Sequence, residues 1–318
     1  MRGELVCDTA RRSMWRPDDR RFIFVTGKGG VGKTTVSAAM ARALAARGKR
    51  VLIAMCNAKE RIGAMFGRGS VGTEITPVGE GIWAVNIEPE SAFLEYGRMV
   101  LKVPGLYRVV FQNKYVRAFL PAVPGLSEWA MLGKAWFHTT ELGDDGRPRF
   151  DVVILDAPAT GHGLDMLRVP KIIVDIVPPG ILKRDAELAW KMFTDPKATG
   201  VVVVTVPEEL PVTETLELVQ SIETDLRLPL GALVVNGVVS PLFSLGEGSE
   251  LEKLDLETAA TPAARALLAA KRRAAREAMQ ARSLARLERG AELDKVILPY
   301  LFDDAATPGA IETLSRKF

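Results

Sequence analysis

The chain has 318 residues, of which 47% are hydrophobic and 25% are charged, and its formal net charge at pH 7 is +3. This composition is typical of a globular protein with a sizeable core, and the small net charge gives no reason to expect a nucleic-acid partner. No apolar run approaches the roughly 18 residues that a membrane-spanning helix requires.

Residues 1–20 are expected to form a flexible N-terminal tail. They carry acidic residues and arginines where a secretory signal would carry its apolar stretch, so the sequence predicts a cytoplasmic protein. The only cysteines are Cys7 and Cys56, and there are two histidines. Neither a disulfide framework nor a structural zinc site within one chain is therefore expected.

From residue 21 onward, short β-rich runs alternate with helical stretches. Several of these runs are apolar throughout, which is typical of strands buried on both faces of a parallel sheet. The alternation predicts an α/β fold with a doubly wound, mainly parallel sheet in a single domain over 21–318. The predicted strands are 21–26, 50–55, 82–87, 151–156, 201–206, 232–237 and 295–299.

Two segments are too long to be simple crossovers between strands. Residues 91–137 contain Pro-Gly breaks, and residues 243–292 are rich in Ala, Leu and Arg. Both are predicted to be helical insertions along one edge of the sheet, the second as a long helix or a helical pair.

A glycine-rich loop, GKGGVGKT at 27–34, follows the first predicted strand and opens a predicted helix over 34–48. It satisfies the P-loop pattern GxxxxGK[ST] in the strand–loop–helix context that this pattern requires. Glycines let successive N–H groups point at phosphate oxygens, and the helix N-terminus adds partial positive charge. The sequence therefore predicts a P-loop NTPase. The predicted nucleotide-binding residues here are Gly27, Lys28, Gly29, Gly30, Val31, Gly32, Lys33, Thr34 and Thr35.

Mg²⁺ is expected to accompany the nucleotide. Lys33 would contact the β and γ phosphates, and the Thr34 hydroxyl would ligate the metal. The predicted strand 151–156 ends in Asp156, a Walker-B-like arrangement whose carboxylate would hold Mg²⁺ through water. Thr34 and Asp156 are therefore the candidate metal ligands.

The second lysine of the loop, Lys28, makes KGGVGKT resemble the deviant P-loop of the class that includes the MinD and ParA ATPases. The stretch APATGH at 157–162 resembles the switch II of one branch, the arsenite-pump and tail-anchored-protein-targeting ATPases. Residues 205–222 and 298–314 also resemble segments of that family. The resemblance implies a dimeric ATPase in which Lys28 acts at the partner's nucleotide, Asn236 reads the adenine edge, and Pro299 lies in the adenine-side loop.

Switch I is where the sequence departs from the family pattern. Asn57 aligns with the aspartate that positions the attacking water, and Ala58 replaces the following proline. Because an amide cannot accept a proton, hydrolysis is expected to suffer by on the order of 10²–10⁴-fold while ATP binding survives. Glu60 is an alternative base. The candidate catalytic residues are Lys28, Lys33, Asn57 and Asp156, and the expected partner is a second copy or a paralogous ATPase subunit.

Three functions of this family stay open on the sequence. Arsenite extrusion would need about three converging thiolates, more than the cysteines here provide. Targeting of tail-anchored proteins would need an apolar groove, and a non-hydrolysing regulatory subunit would need only nucleotide-controlled dimerisation. Apolar residues between 99 and 137 either line such a groove or form the core of the insertion: Met99, Leu101, Leu106, Val109, Phe111, Leu120, Trp129, Leu132 and Trp136.

The segment 264–290 carries eight basic residues against two acidic ones. Such a run is most often a solvated helix face, and the alternatives are contact with an acidic partner or peripheral contact with an anionic membrane surface. The client protein cannot be read from the residues.

Overall fold

The computed structural model describes residues 15–100, 125–158, 162–254 and 261–318. Strands and helices alternate along these ranges. The strands are β1 (Phe22–Gly27), β2 (Val51–Cys56), β3 (Thr76–Gly79), β4 (Ile82–Ile87), β5 (Val152–Asp156), β6 (Thr199–Thr205), β7 (Leu230–Val238) and β8 (Asp294–Pro299). The helices are α1 (Lys33–Ala46), α2 (Ile62–Met65), α3 (Pro89–Val100), α4 (Leu126–Thr140), α5 (His162–Ile176), α6 (Ile181–Phe193), α7 (Glu209–Ser221), α8 (Leu245–Lys253), α9 (Pro262–Gly290) and α10 (Pro308–Ser315).

The eight strands form one sheet in the order β3-β4-β2-β5-β1-β6-β7-β8. All neighbours are parallel except β3, which pairs antiparallel with β4. The predicted α/β fold with a mainly parallel sheet is therefore confirmed. The sequence did not predict β3, since this four-residue strand contains Pro77 and shows no apolar run, which is typical of an edge strand.

Both faces of the sheet are buried, which explains why the strands are apolar throughout. Along β1, Phe22 and Phe24 face one core cluster, whereas Ile23 and Val25 face the other. Helices α4 to α7 cover the first face and α1 and α10 cover the second. Each of these fully buried side chains stabilises the fold by about 1.5–3 kcal/mol relative to exposure. The doubly wound arrangement follows from this two-sided burial.

The first predicted insertion begins with α3 and ends within α4, and residues 101–124 between these helices lie outside the described residues. Trp129 and Leu132 of α4 are buried in the core of the first face, and Trp136 packs partly buried against it. In the described part of this segment, these apolar residues therefore form core. The predicted groove residues from Leu101 to Leu120 fall outside the described ranges.

The second predicted insertion is the helical pair α8 and α9 between β7 and β8. Thr261 caps α9, since its Oγ1 accepts a hydrogen bond from the Ala264 N–H at 3.1 Å, and Pro262 occupies the first turn. Only four residues of α9 are buried, so most of its basic surface faces solvent. The two insertions were expected along one edge of the sheet, but they follow β4 and β7, which lie in opposite halves of it.

Part of the predicted N-terminal tail packs against the domain. Residues 1–14 lie outside the described residues, but Trp15 lies against Gly200 and Gly231 at the start of β6 and β7. A Cβ at Gly231 would lie 2.5 Å from the indole, so the glycine makes room for the ring. Pro17 is also buried, at the start of a short 3₁₀ turn. Within the predicted tail, Trp15 and Pro17 therefore pack against the domain.

Candidate nucleotide-binding site

The predicted P-loop connects the central strand β1 to α1. Gly27 has φ +147°, and a Cβ there would lie 2.2 Å from the Val204 carbonyl oxygen of β6. Gly32 has φ +92° and caps the N-terminus of α1, where a Cβ would lie 2.3 Å from Asn236 Nδ2. Only glycine fits these two positions, because both the backbone conformation and the space exclude a side chain. Gly29 and Gly30 are exposed at the tip of the loop.

Lys33 begins α1 and folds back inside the loop. Its Nζ donates hydrogen bonds to the carbonyl oxygens of Gly27 and Lys28, both at 3.1 Å. Burial lowers the pKa of Lys33, and the nearby Asp156 carboxylate partly opposes this shift. The first turn of α1 contains no acidic residue. The partial positive charge of the helix N-terminus and the Lys33 ammonium therefore both favour an anion at the loop. This arrangement suits a phosphate group.

Thr34 and Asp156 form the second part of the site. The Thr34 hydroxyl donates a hydrogen bond of 2.6 Å to Asp156 Oδ2. Asp156 ends β5, in register with Val25 of β1 and Met55 of β2, so the carboxylate lies beside the loop. Burial raises the pKa of Asp156 to about 6, and Thr34 and Lys33 partly offset the effect. Its Oδ1 is buried and has no hydrogen-bond partner among the described residues.

These groups fit Mg²⁺. Hydroxyl and carboxylate oxygens are the hard donors that Mg²⁺ prefers, and the unpaired Asp156 Oδ1 leaves acceptor capacity for a metal or its water. Within the described ranges, no cluster of three or more His, Cys, Asp or Glu side chains could hold a metal by itself. That agrees with Mg²⁺, which protein sites usually bind through one or two protein ligands plus phosphates and water.

A cleft of about 230 Å³ extends from the loop towards α9 and the segment after β8. Asn236, near the end of β7, donates a hydrogen bond from Nδ2 to the Val31 carbonyl oxygen at 2.9 Å. Its amide has a second N–H and an acceptor oxygen, the groups that read a base edge. Of the residues predicted from sequence, Gly30, Val31, Thr35, Asn236 and Pro299 line the cleft. The sequence did not predict the other lining side chains, among them Val206, Glu208, Arg276, Met279, Gln280 and Tyr300.

The other two candidate catalytic residues contact groups outside the phosphate loop. Lys28 Nζ lies 2.6 Å from Glu214 Oε1 on α7. Asn57 is exposed after β2 with φ +44°, and its backbone N–H donates to the Ile87 carbonyl oxygen at 2.8 Å. The alternative base, Glu60, accepts a hydrogen bond from the Gly63 N–H at 2.6 Å at the start of α2. No local pattern links Lys28 to Glu214, 186 residues further along the chain.

Cys56 is the only cysteine in the described part of the chain, and it is buried at the end of β2. Burial raises the pKa of its thiol, and the negative charge of Asp156 adds to the shift. A protonated, enclosed thiol is a poor ligand for a soft metalloid. Residues 159–161 of the predicted switch II lie outside the described residues, and α5 begins at His162.

The glycine-rich loop follows the central strand β1 and ends in Lys33 and Thr34. Thr34 contacts the buried Asp156 of β5, the neighbour of β1 in the sheet. This combination defines a P-loop NTPase. A model of the anion-transporting ATPase family (ArsA_ATPase) matches residues 20–178. The chain belongs to this family, which confirms the relationship predicted from the P-loop and switch II motifs.

Several curated proteins are similar to the chain. ATPase BagA of Mycobacterium tuberculosis is 31% identical over 221 residues, which cover 68% of this chain and 64% of the relative. An arsenical pump-driving ATPase of Escherichia coli is 30% identical over 240 residues, 69% of this chain and 39% of the pump protein. ATPase GET3 of Kluyveromyces lactis is 25% identical over 279 residues, 77% and 79% of the two chains. The chain thus spans less than two thirds of the first two relatives.

Among the described residues, no helix is both long enough and apolar enough to cross a membrane.

Proposed function

We propose that this chain is a cytoplasmic, Mg²⁺-dependent ATP-binding protein that acts as a dimeric switch, and that its ATP hydrolysis is slow without a partner. The observation that carries the proposal is the convergence of Lys33, Thr34 and Asp156 beside a cleft that Asn236 lines. The family relationship supports ATP as the nucleotide, since the relatives are named as ATPases.

Each group has a distinct task in this proposal. The loop amides and Lys33 bind the β and γ phosphates, and Thr34 and Asp156 hold Mg²⁺. Bound there, the metal would neutralise charge on the phosphate oxygens. Asn236 contacts the base edge and Pro299 borders the base. Burial of Asp156 strengthens these electrostatic interactions, because the surrounding core excludes water.

Slow hydrolysis follows from the chemistry of switch I. The Asn57 amide positions water less well than a carboxylate and cannot accept its proton. The Glu60 carboxylate is engaged by the Gly63 N–H, so it does not replace the missing base without a rearrangement of the loop. A partner subunit, either a second copy or a paralogue with an aspartate in switch I, would receive Lys28 at its nucleotide. The paralogue would hydrolyse faster than this chain.

A regulatory subunit that binds ATP without hydrolysing it is the second candidate, and the Asn57 substitution favours it. The targeting of membrane proteins has less support from the described residues. The cavity between α3 and α4, bordered by Trp129, Trp136 and Phe137, has a volume of about 280 Å³. A 20-residue transmembrane helix is about 30 Å long, so this cavity holds side chains rather than a helix.

The test begins with ATP binding by the purified chain, measured by calorimetry with Mg²⁺ and with EDTA. Phosphate release and sedimentation velocity with and without ATP follow on the same sample. We expect Mg²⁺-dependent binding, ATP-dependent dimers, and turnover well below the 1–10³ s⁻¹ typical of enzymes. Lys33→Ala should abolish binding, whereas Lys59→Ala, at an exposed lysine after β2, should not. Absence of ATP binding by the unmodified chain would refute the proposal, and binding without any phosphate release would favour the regulatory subunit.

A further inference from the structure

The arginine-rich helix α9 borders the proposed nucleotide cleft, whereas its sequence predicted a solvated face, an acidic partner or an anionic membrane surface. We propose that Arg276 is a nucleotide-binding residue, whose guanidinium lies over the Tyr300 ring and stacks on the base of a purine nucleoside triphosphate. The inference rests on the proposed function, because it concerns the ligand of the same site. It assigns a task to one position of the basic segment 264–290.

Arg276 and Tyr300 form the outer wall of the cleft. The Arg276 guanidinium carbon lies 5.1 Å from the centroid of the Tyr300 ring, within the range of a cation–π interaction. The Tyr300 backbone N–H donates to the Val238 carbonyl oxygen at 2.8 Å, which joins the Tyr300 backbone to the end of β7. Phe302 supports this ring edge-on, with centroids 5.1 Å apart. The guanidinium therefore lies against an aromatic ring at the edge of the cleft.

The middle of α9 is anchored to the strand that carries Asn236. Gln280, one turn after Arg276, is buried, and its amide both donates to the Val239 carbonyl oxygen and accepts from the Val239 N–H, each at 2.8 Å. Glu277 accepts from the Leu242 N–H at 3.0 Å in the loop that follows. Asn236 precedes Val239 by three residues on the same segment, and both Arg276 and Asn236 line the cleft.

The chemistry of the two walls suits a purine base. A guanidinium is planar and weakly hydrated, so it stacks on flat π-systems, whereas an ammonium does not. Pro299 and Leu301 give the cleft an apolar side, and the Asn236 amide supplies edge contacts. The positive charge also complements the negative nucleotide. Because Arg276 is exposed, we expect its loss to weaken ATP binding by about 2- to 5-fold, the range of an exposed cation–π contact.

The experiment compares ATP with tripolyphosphate, which has the phosphate chain but no base. Dissociation constants are measured with Mg²⁺ for the full chain, for Arg276→Ala and for Arg282→Ala, an exposed arginine of α9 that does not line the cleft. Arg276→Ala should weaken ATP binding, and its dissociation constant for tripolyphosphate should stay within about 2-fold of that of the unmodified chain. Arg282→Ala should leave both unchanged. Thermal unfolding of each variant checks that α9 remains in place.

Three further variants test the stacking itself. Arg276→Lys retains the charge but should still weaken ATP binding. Tyr300→Phe retains the ring and should bind ATP with unchanged affinity. Tyr300→Leu should weaken ATP, and its effect should not add fully to that of Arg276→Ala. The inference is overturned if Arg276→Ala binds ATP with unchanged affinity, or if the substitution weakens the binding of ATP and of tripolyphosphate equally. In both cases ATP binding by the unmodified chain leaves the proposed function standing, whereas failure of that binding refutes both.

Discussion

Lys28 Nζ lies 2.6 Å from Glu214 Oε1 of the same chain. The family resemblance assigned Lys28 to the nucleotide of a neighbouring subunit, so the lysine must leave this carboxylate before it can act there. The two side chains are 29% and 34% exposed, and such a pair contributes about 0.2–1 kcal/mol. In the proposed dimer, Glu214 would compete with the partner's nucleotide for Lys28, and the pair is weak enough for a phosphate group to displace.

This relationship predicts that Glu214→Gln strengthens ATP-dependent dimerisation. Loss of the carboxylate charge frees Lys28. A dimer of this chain contains two such pairs, so the gain of up to about 2 kcal/mol corresponds to a dimer dissociation constant up to about 30-fold lower. Sedimentation velocity over a concentration series with Mg²⁺-ATP measures it. Glu217→Gln, at an exposed position on the same helix, is the matched control. A weaker dimer would mean instead that Glu214 orients Lys28 towards the partner.

Asn57→Asp should accelerate hydrolysis. The substitution restores a carboxylate where the family has one, and we expect phosphate release to rise by on the order of 10²-fold with little change in ATP affinity. Aspartate, like asparagine, tolerates the left-handed conformation at this position, where φ is +44°, so the fold should persist. Steady-state phosphate release is the measurement.

The double variant Asn57→Asp/Asp156→Asn should lose the gain, since both carboxylates act on the same nucleotide. An unchanged rate for Asn57→Asp, with normal ATP binding, would show that Asn57 does not stand in the switch I position.

Asp156→Asn should remove the contribution of Mg²⁺ to ATP binding. The carboxylate is the only acidic group that the described structure places against Thr34, and an amide is a weaker ligand for a hard cation. We expect ATP affinity with Mg²⁺ to fall at least about tenfold while affinity in EDTA changes little. Calorimetric titrations in the two buffers measure this.

The control is Asp151→Asn, immediately before the same strand, where the carboxylate binds Arg50 instead. It should leave the Mg²⁺ dependence intact. If Asp156→Asn lowers the affinity for ATP equally with Mg²⁺ and with EDTA, the carboxylate has a structural role rather than a role in metal binding.

His138 should make the stability of the domain depend on pH. Its ring is buried in α4, and burial lowers its pKa, although the Glu141 carboxylate at 2.7 Å opposes the shift and Lys134 and Arg149 add to it. The unfolded chain therefore binds a proton more readily than the folded one. The stabilisation is fully present above the unfolded pKa of about 6.5 and is lost as pH falls below it, by up to about 1.4 kcal/mol per pH unit.

Free energies of unfolding measured between pH 8 and pH 5 test this. His138→Asn retains a donor for Glu141 but does not titrate, so the stability difference between the unmodified chain and the variant should shrink as pH falls through this window. A difference that stays constant over the whole range would refute the prediction.

Much of the fold could be predicted because its signals are local. The strands are short apolar runs, and α1 follows from a helical stretch directly after the glycine loop. The failures are also physical. The edge strand β3 has no apolar run, and Trp15 belongs to the domain only because glycines on β6 and β7 leave space for its ring. Neither fact leaves a periodic pattern in the sequence.

The sequence by itself determined the glycine-rich loop, because the constraints on Gly27, Gly32, Lys33 and Thr34 arise within one strand–loop–helix unit. Only the tertiary structure decided what surrounds it. The sequence motifs already paired Thr34 with Asp156, and the strand order explains their contact. The packing of α7 and α9 brings Glu214 to Lys28 and Arg276 to Tyr300, which no motif predicted. Turn chemistry and hydrophobic periodicity act over a few residues, whereas these contacts depend on which elements become neighbours when both faces of the sheet are buried.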